Sequence, residues 1–221
     1  MTEVLTPRPA ATCMVLRDGD DGVEVLLLRR NPRSVFVPGA HVFPGGAVEP
    51  SDGESLDEAY RYAAVRETFE EAGLLFADGP VEAAMPFRAA VACGEVLLAD
   101  LCREHGLRLR LDDLREFGHW TTPPGGPRRY TTRFFVAPAP ADQVHAHDDA
   151  ELVDSEWIRP QAALDRFATG DWELILPTER SLVALTHFES TAEVLAHLDT
   201  HPPTTDDHGG WRVAIPQETA L

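Results

Sequence analysis

The residues best placed to do chemistry lie in one short run, Arg66-Glu67-Thr68-Phe69-Glu70-Glu71-Ala72-Gly73-Leu74. The apolar spacing over 57–72 predicts a helix, which Gly73 ends as a residue suited to the left-handed position after the last turn. At about 100° per residue, Glu67, Glu70 and Glu71 share one arc roughly 100° wide. Tyr62, Val65, Phe69 and Ala72 fall on the opposite side and would dock the helix. Three carboxylates on one arc repel one another. An acceptor-only cluster of hard oxygens suits a divalent cation such as Mg²⁺ or Mn²⁺. Taken by themselves, the same carboxylates also fit a solvated acidic face.

Stepping outward to the elements that must hold this helix, Ala11–Leu16 and Val23–Arg29 read as a hairpin around the turn Asp18–Gly22. Asn31–Gly46 is punctuated by Pro and Gly and reads as irregular. A long Ala- and Leu-rich helix is expected from Phe87 to about His105, flanking the site. Phe117–Thr122, Tyr130–Ala137 and Leu152–Ile158 read as strands. Helices are expected near 160–169, 178–187 and 191–198, with a short strand at Trp211–Ile215. The order of elements implies one mixed α/β sandwich. The expected organisation is a single domain over 1–221, with a helical insertion about 81–116 and a helical C-terminal extension about 160–200.

Composition bounds the function. The chain has 221 residues, 19 basic and 37 acidic side chains, and a net charge of −18. A surface this acidic excludes a general nucleic-acid-coating role and repels anionic membranes. Every basic residue is Arg, so any phosphate contact must use a forked guanidinium. Three Cys without a C-x-x-C pair point to a reduced compartment and plain packing. The N-terminal run lacks the basic and apolar regions of a signal peptide, and no apolar run reaches the roughly 18 residues of a membrane span. The expectation is a soluble, cytoplasmic protein.

Arg66–Leu74 resembles the core of the Nudix box, R-E-U-x-E-E-x-G-U, with Thr68 in the first U slot. Counting back from Arg66 puts Glu58 in the acid slot of the box. Gly46 then opens the box with eleven residues between it and Glu58 instead of five, which implies a six-residue insertion around Glu49–Glu54. Upstream, Leu26–Gly46 is similar to the signature of coenzyme A-cleaving Nudix hydrolases, with Arg30, Gly39 and Phe43-Pro44-Gly45-Gly46 in register and Val35 where that signature has a second Arg. Together with Thr122–Val136, this looks most like the peroxisomal acyl-CoA diphosphatase branch and its bacterial relatives.

The resemblance implies a Nudix α/β/α sandwich with a mixed sheet and additional helices. It implies hydrolysis of a diphosphate in a nucleoside diphosphate derivative, coenzyme A or an acyl-CoA first. ADP-ribose or a nucleotide sugar is the alternative substrate, and a non-catalytic ligand sensor the alternative of another class. Metal ligands would be Gly46 through its carbonyl, Glu67, Glu70 and Glu71, with Mg²⁺ or Mn²⁺ as cofactor. Glu70 could also be the base, and Arg66 would hold a box carboxylate. A loop acid would join them: Glu151, in preference to Asp148 or Asp149. Arg29, Arg30, Arg33, Arg128, Arg129 and Arg133 are the candidates for substrate phosphates. Phe36 and Trp120 could stack a base or contact an acyl arm. His41, His119, His145 and His147 are expected to pack or be solvated. The partner is a small nucleotide-derived molecule, and the family also suggests a homodimer.

Overall fold

The computed structural model describes residues 5–33, 37–125, 128–146 and 152–203. The chain opens with β1 (Arg8–Gly19) and β2 (Gly22–Arg30), followed by two short strands, β3 (His41–Val42) and β4 (Gly45–Ala47). Then come α1 (Leu56–Ala72), β5 (Ala77–Asp78), α2 (Arg88–Ala92), α3 (Leu98–His105) and β6 (Arg108–Leu109). β7 (Arg115–Thr121), β8 (Tyr130–Pro138) and β9 (Leu152–Ile158) precede α4 (Pro160–Ala168), α5 (Leu176–Leu185) and α6 (Thr191–Thr200). The main sheet is mixed: β1 runs parallel to β8 and antiparallel to β2, while β9 pairs with β2 and β7 with β8.

Strand alternation makes two cores. Ala11, Cys13, Val15, Leu26, Leu28 and Phe135 face α1 and the segment carrying α2 and α3. Met14, Leu16, Val25, Leu27, Phe134 and Val136 face α4, α5 and α6. The result is the expected α/β/α sandwich. Among the described residues, no helix is long and apolar enough to cross a membrane. The three cysteines are free, and burial pushes the Cys13 thiol up to about 12, in keeping with simple packing.

The irregular stretch before α1 holds the geometry that matters. β1 and β2 pair only at their hairpin end, Leu16–Gly19 against Gly22–Val25. Beyond it they part. His41–Val42 pairs with Leu28–Arg29 of β2, and Gly45–Ala47 pairs with Ala10–Thr12 of β1. These two short strands fill the wedge and bring Gly45-Gly46 against α1. Their sequence carries no alternation, because the neighbouring strands impose the pairing.

The long helix expected over Phe87–His105 is two short ones. Gly94 takes a left-handed φ of 69° and separates α2 from α3. Val91, Leu98, Leu101 and Cys102 bury themselves in the α1-side core. The expected strand at Trp211–Ile215 lies outside the described residues.

His41 ties the wedge to the C-terminal segment. Its N–H donates to the Glu173 carbonyl at 2.8 Å, and its ring stacks on Trp172 with centroids 3.7 Å apart. Burial pushes the imidazole down to about 4; Arg29 acts in the same direction, while Asp154, Glu156 and the Glu173 backbone oppose it. The unfolded chain therefore takes up the proton first as pH falls. The stability held by neutral His41 is complete above the free imidazole's 6.5 and is lost as pH falls through about 4. Urea midpoints across that window should fall more steeply for the wild type than for His41→Gln, by up to one proton or about 1.4 kcal/mol per pH unit. Parallel curves would contradict this.

Candidate active site

α1 begins where Ser55 accepts the Glu58 N–H and ends at Gly73, whose φ of 67° lets its N–H return to Phe69 O. Between these caps the helix is packed on most sides. Thr68 is fully buried, its hydroxyl donating to Ala64 O at 2.7 Å, so a polar residue is satisfied in an apolar slot. Glu71 is buried, and Glu67 and Glu70 are half-buried. The carboxylate arc is therefore no solvated face.

The guanidinium of Arg66, only 6% exposed, joins the parts. Its Nε and Nη2 donate to the two carboxylate oxygens of Asp52 at 2.9 and 3.1 Å, a bidentate fork. Nη2 also donates to Ala47 O at 2.9 Å. Nη1 donates to Glu67 at 2.9 Å and to Glu70 at 3.2 Å. Meanwhile the Gly45 N–H donates to Glu71 Oε2 at 2.8 Å. The Gly45–Ala47 strand is thus bonded to α1 at two points.

The close approach demands glycine. A Cβ on Gly46 would stand 2.4 Å from Glu67 Oε1, and one on Gly45 would stand 2.5 Å from Ala11 O. Burial raises the Glu67 carboxyl to about 7 although Arg66 pulls it down, and it raises Glu70 in the same way. Burial disfavours the charge on Arg66, but Asp52, Glu67 and Glu70 more than offset it and hold the guanidinium protonated.

A cavity of about 410 Å³ opens on the other face of the sheet, bordered by Gly45, Gly46 and Ala47. One end is lined by Trp120, Thr122, Arg128 and Tyr130, the other by Arg30, Val42, Phe43, Ile175 and Pro177. Of the six candidate arginines, Arg30 and Arg128 reach this cavity. Arg29 lines a separate pocket of about 100 Å³ beside His41, and a register shift in the β2–β9 ladder separates it from Arg30. Arg129 donates to Thr122 O and Leu5 O. Arg133 alternates to the α1 face, where it pairs with Asp57 at 2.5 Å and lies over the Tyr60 ring. Arg33 is exposed in the loop after β2.

The expected flank was also misplaced. The segment carrying α2 and α3 packs on the α1 side of the sheet, and the residues at 175–178 wall the cavity instead. Trp120 lines the cavity. His119 sits opposite Arg133 in the β7–β8 ladder, on the other face from Trp120, and His145 accepts the Trp157 indole N–H at 2.9 Å. Phe36, His147, Asp148, Asp149 and Glu151 lie outside the described residues.

A family model described as the NUDT19 Nudix domain matches residues 53–182, and one described as the NUDIX domain matches residues 6–90. The chain belongs to the Nudix hydrolase family. A solved Nudix hydrolase from Alicyclobacillus acidocaldarius is 31% identical, with a TM-score of 0.78 over 86% of this chain and 96% of that one. The acyl-coenzyme A diphosphatase NUDT19 of Gallus gallus is 30% identical over 234 residues, 76% of this chain and 62% of the relative. The putative nudix hydrolase 7 of Caenorhabditis elegans is 29% identical over 163 residues, 73% of this chain and 55% of the relative. The chain spans less than two thirds of the length of these two curated relatives.

Within the Nudix box the geometry corrects the assignment of the acid slot. Glu58 is exposed in the first turn of α1, far along the helix from the carboxylate cluster. Asp52 is fully buried against Arg66 and lies six residues after Gly46, the interval that the box prescribes. The extra residues therefore fall between the acid and the helix, not between the glycine and the acid. Counting forward from Gly46 would have found Asp52; counting back from Arg66 passed it.

Among the described residues, no three His, Cys, Asp or Glu side chains already converge as metal ligands, since Glu67 and Glu70 are turned onto Arg66. The donor chemistry nevertheless fits a hard divalent cation. If all are ionised, Asp52, Glu67, Glu70 and Glu71 oppose a single guanidinium, a surplus of hard acceptor oxygens that a divalent cation would offset. Asp52→Asn should lower stability by about 3 kcal/mol, because it strands the buried Arg66. Glu58→Gln should stay within about 0.5 kcal/mol of wild type. Chemical denaturation checks both, and the reverse order would restore Glu58 to the acid slot.

Proposed function

We infer that this chain hydrolyses the diphosphate of coenzyme A or an acyl-CoA, giving 3′,5′-ADP and (acyl-)4′-phosphopantetheine. The observation that carries the reading is the packing of Glu67 and Glu71 against Gly45-Gly46, with Glu70 beside them on Arg66; the same glycine backbone borders a cavity with a guanidinium at each end. The likeness to acyl-coenzyme A diphosphatase NUDT19 supports the choice of substrate.

Glu67, Glu70 and Glu71, with the Gly46 carbonyl, would hold Mg²⁺ or Mn²⁺, which neutralises a diphosphate and lowers the pKa of a bound water. Glu70, whose carboxyl burial raises, would serve either as one of these ligands or as the base that takes the proton of the attacking water. The hydroxyl adds to one phosphorus, the bridging P–O bond breaks, and the departing phosphate leaves with the bridging oxygen. Arg66 fixes the carboxylates through its fork to Asp52 and does not touch the substrate. Arg30 and Arg128 supply the cationic contacts that an acidic protein needs to admit a polyanion. As a unit, residues 1–221 form one Nudix domain, with 81–116 and 160–200 as additions to its sandwich.

The test is turnover of coenzyme A, acyl-CoAs, ADP-ribose and nucleoside triphosphates with Mg²⁺ or Mn²⁺, products read by mass spectrometry. Coenzyme A species should be cleaved, chelation should abolish turnover, and Glu70→Gln and Glu71→Gln should each lower kcat by about 10²-fold or more. Cleavage of ADP-ribose alone would replace the substrate. Tight binding of one ligand with no turnover would make the domain a sensor.

A further inference from the structure

We propose that the two ends of the cavity read the two halves of the substrate: the β7–β8 end takes the nucleotide, and the Val42–Phe43/Ile175–Pro177 end takes the acyl-pantetheine arm. The inference rests on the coenzyme A reading and assigns the arm to the segment that enters α5.

The sheet ladders lay out the cavity floor. Ala47 pairs with Ala10, Ala10 with Thr132, and Thr132 with Trp120, so these four residues form one row across β4, β1, β8 and β7. Three strand spacings of about 4.8 Å put Trp120 roughly 14 Å from the backbone of the Gly45–Ala47 strand. An extended ribose and base can cover that span. At its far end stand Arg128, Trp120 and Tyr130, a guanidinium with two aromatic rings. Those groups suit a phosphorylated ribose and a purine face.

The other end lies across β4 in the opposite direction. The parallel bridge between His41 and Leu174 sets Ile175 beside Val42, and the stack of His41 on Trp172 fixes that alignment. Phe43, Ile175 and Pro177 give this end an apolar wall, with Thr178 almost fully buried behind it and Arg30 on its rim. A chain of methylenes and amides gains there by burying apolar surface, whereas the two polar-tipped rings and the guanidinium that suit a nucleotide stand together at the other end. The reacting diphosphate is thereby centred on Gly45-Gly46, beside the α1 carboxylates.

The measurement is kcat/KM for coenzyme A, butanoyl-CoA and octanoyl-CoA, in wild type and three variants. Ile175→Trp fills the apolar end and should lower the octanoyl-to-free coenzyme A ratio by at least about tenfold. Ile175→Ala opens that end and should also move the ratio, which keeps the inference testable if the larger side chain prevents folding. Trp120→Ala should raise KM for all three substrates alike, because they share the nucleotide. The inference falls if both Ile175 variants lower all substrates equally, or if Trp120→Ala is the one that moves the chain-length ratio. Wild-type turnover of coenzyme A reports separately on the underlying reading. If no coenzyme A species is cleaved, both fall; if they are cleaved and the ratio does not move, only the arm assignment falls.

Discussion

The site depends on one buried cation. Arg66 is enclosed by Asp52, the Ala47 carbonyl, Glu67 and Glu70, contacts that come from three parts of the fold. Asp52 closes the loop before α1, Ala47 belongs to the strand in the wedge, and the two glutamates are on the helix itself. A guanidinium buried without such partners would cost several kcal/mol. Conversely, the glutamates could not sit half-buried side by side without a positive charge among them. The cation and the carboxylates therefore require one another, and together they fix the strand against the helix.

That mutual requirement explains which features could be read from sequence. α1 was legible because its carboxylate arc, its apolar side and its stop at Gly73 are local properties of one helix. The hairpin and the strands from Tyr130 and Leu152 were legible through their period of two and their punctuation. The short strands at 41–42 and 45–47 were not. They pair only because β1 and β2 part, a tertiary event with no local signature. Asp52 escaped for a related reason. Its role lies in a contact fourteen residues along the chain with Arg66, inside a loop whose composition resembles any acidic turn.

The arginines show a second limit. Arg29 and Arg30 are neighbours, as are Arg128 and Arg129, yet one member of each pair reaches the cavity and the other does not. Clusters in sequence suggest clusters in space, but the backbone between two neighbours can send them to different places. In β2 a register shift against β9 falls between Arg29 and Arg30, which line different pockets. The helices were subject to the same constraint. The segment carrying α2 and α3 is apolar enough to flank a pocket, but its apolar residues are committed to the core on the α1 side. The cavity wall had to come from the other layer.

Gly45 and Gly46 mark where the two layers meet, and their reasons for being glycine differ. A side chain at Gly45 would strike the backbone of β1, while one at Gly46 would strike the carboxylate of Glu67. Sheet and helix thus close from two sides on a strand with room for backbone alone. Gly45 and Gly46 border the cavity together with Ala47, so a shift of this strand moves the cavity relative to the carboxylates. The hydrogen bonds from Gly45 N–H to Glu71 and from Arg66 to Ala47 O oppose that shift at both ends of the strand. The α1 carboxylates and the two cavity arginines are thereby kept on opposite sides of one stretch of backbone.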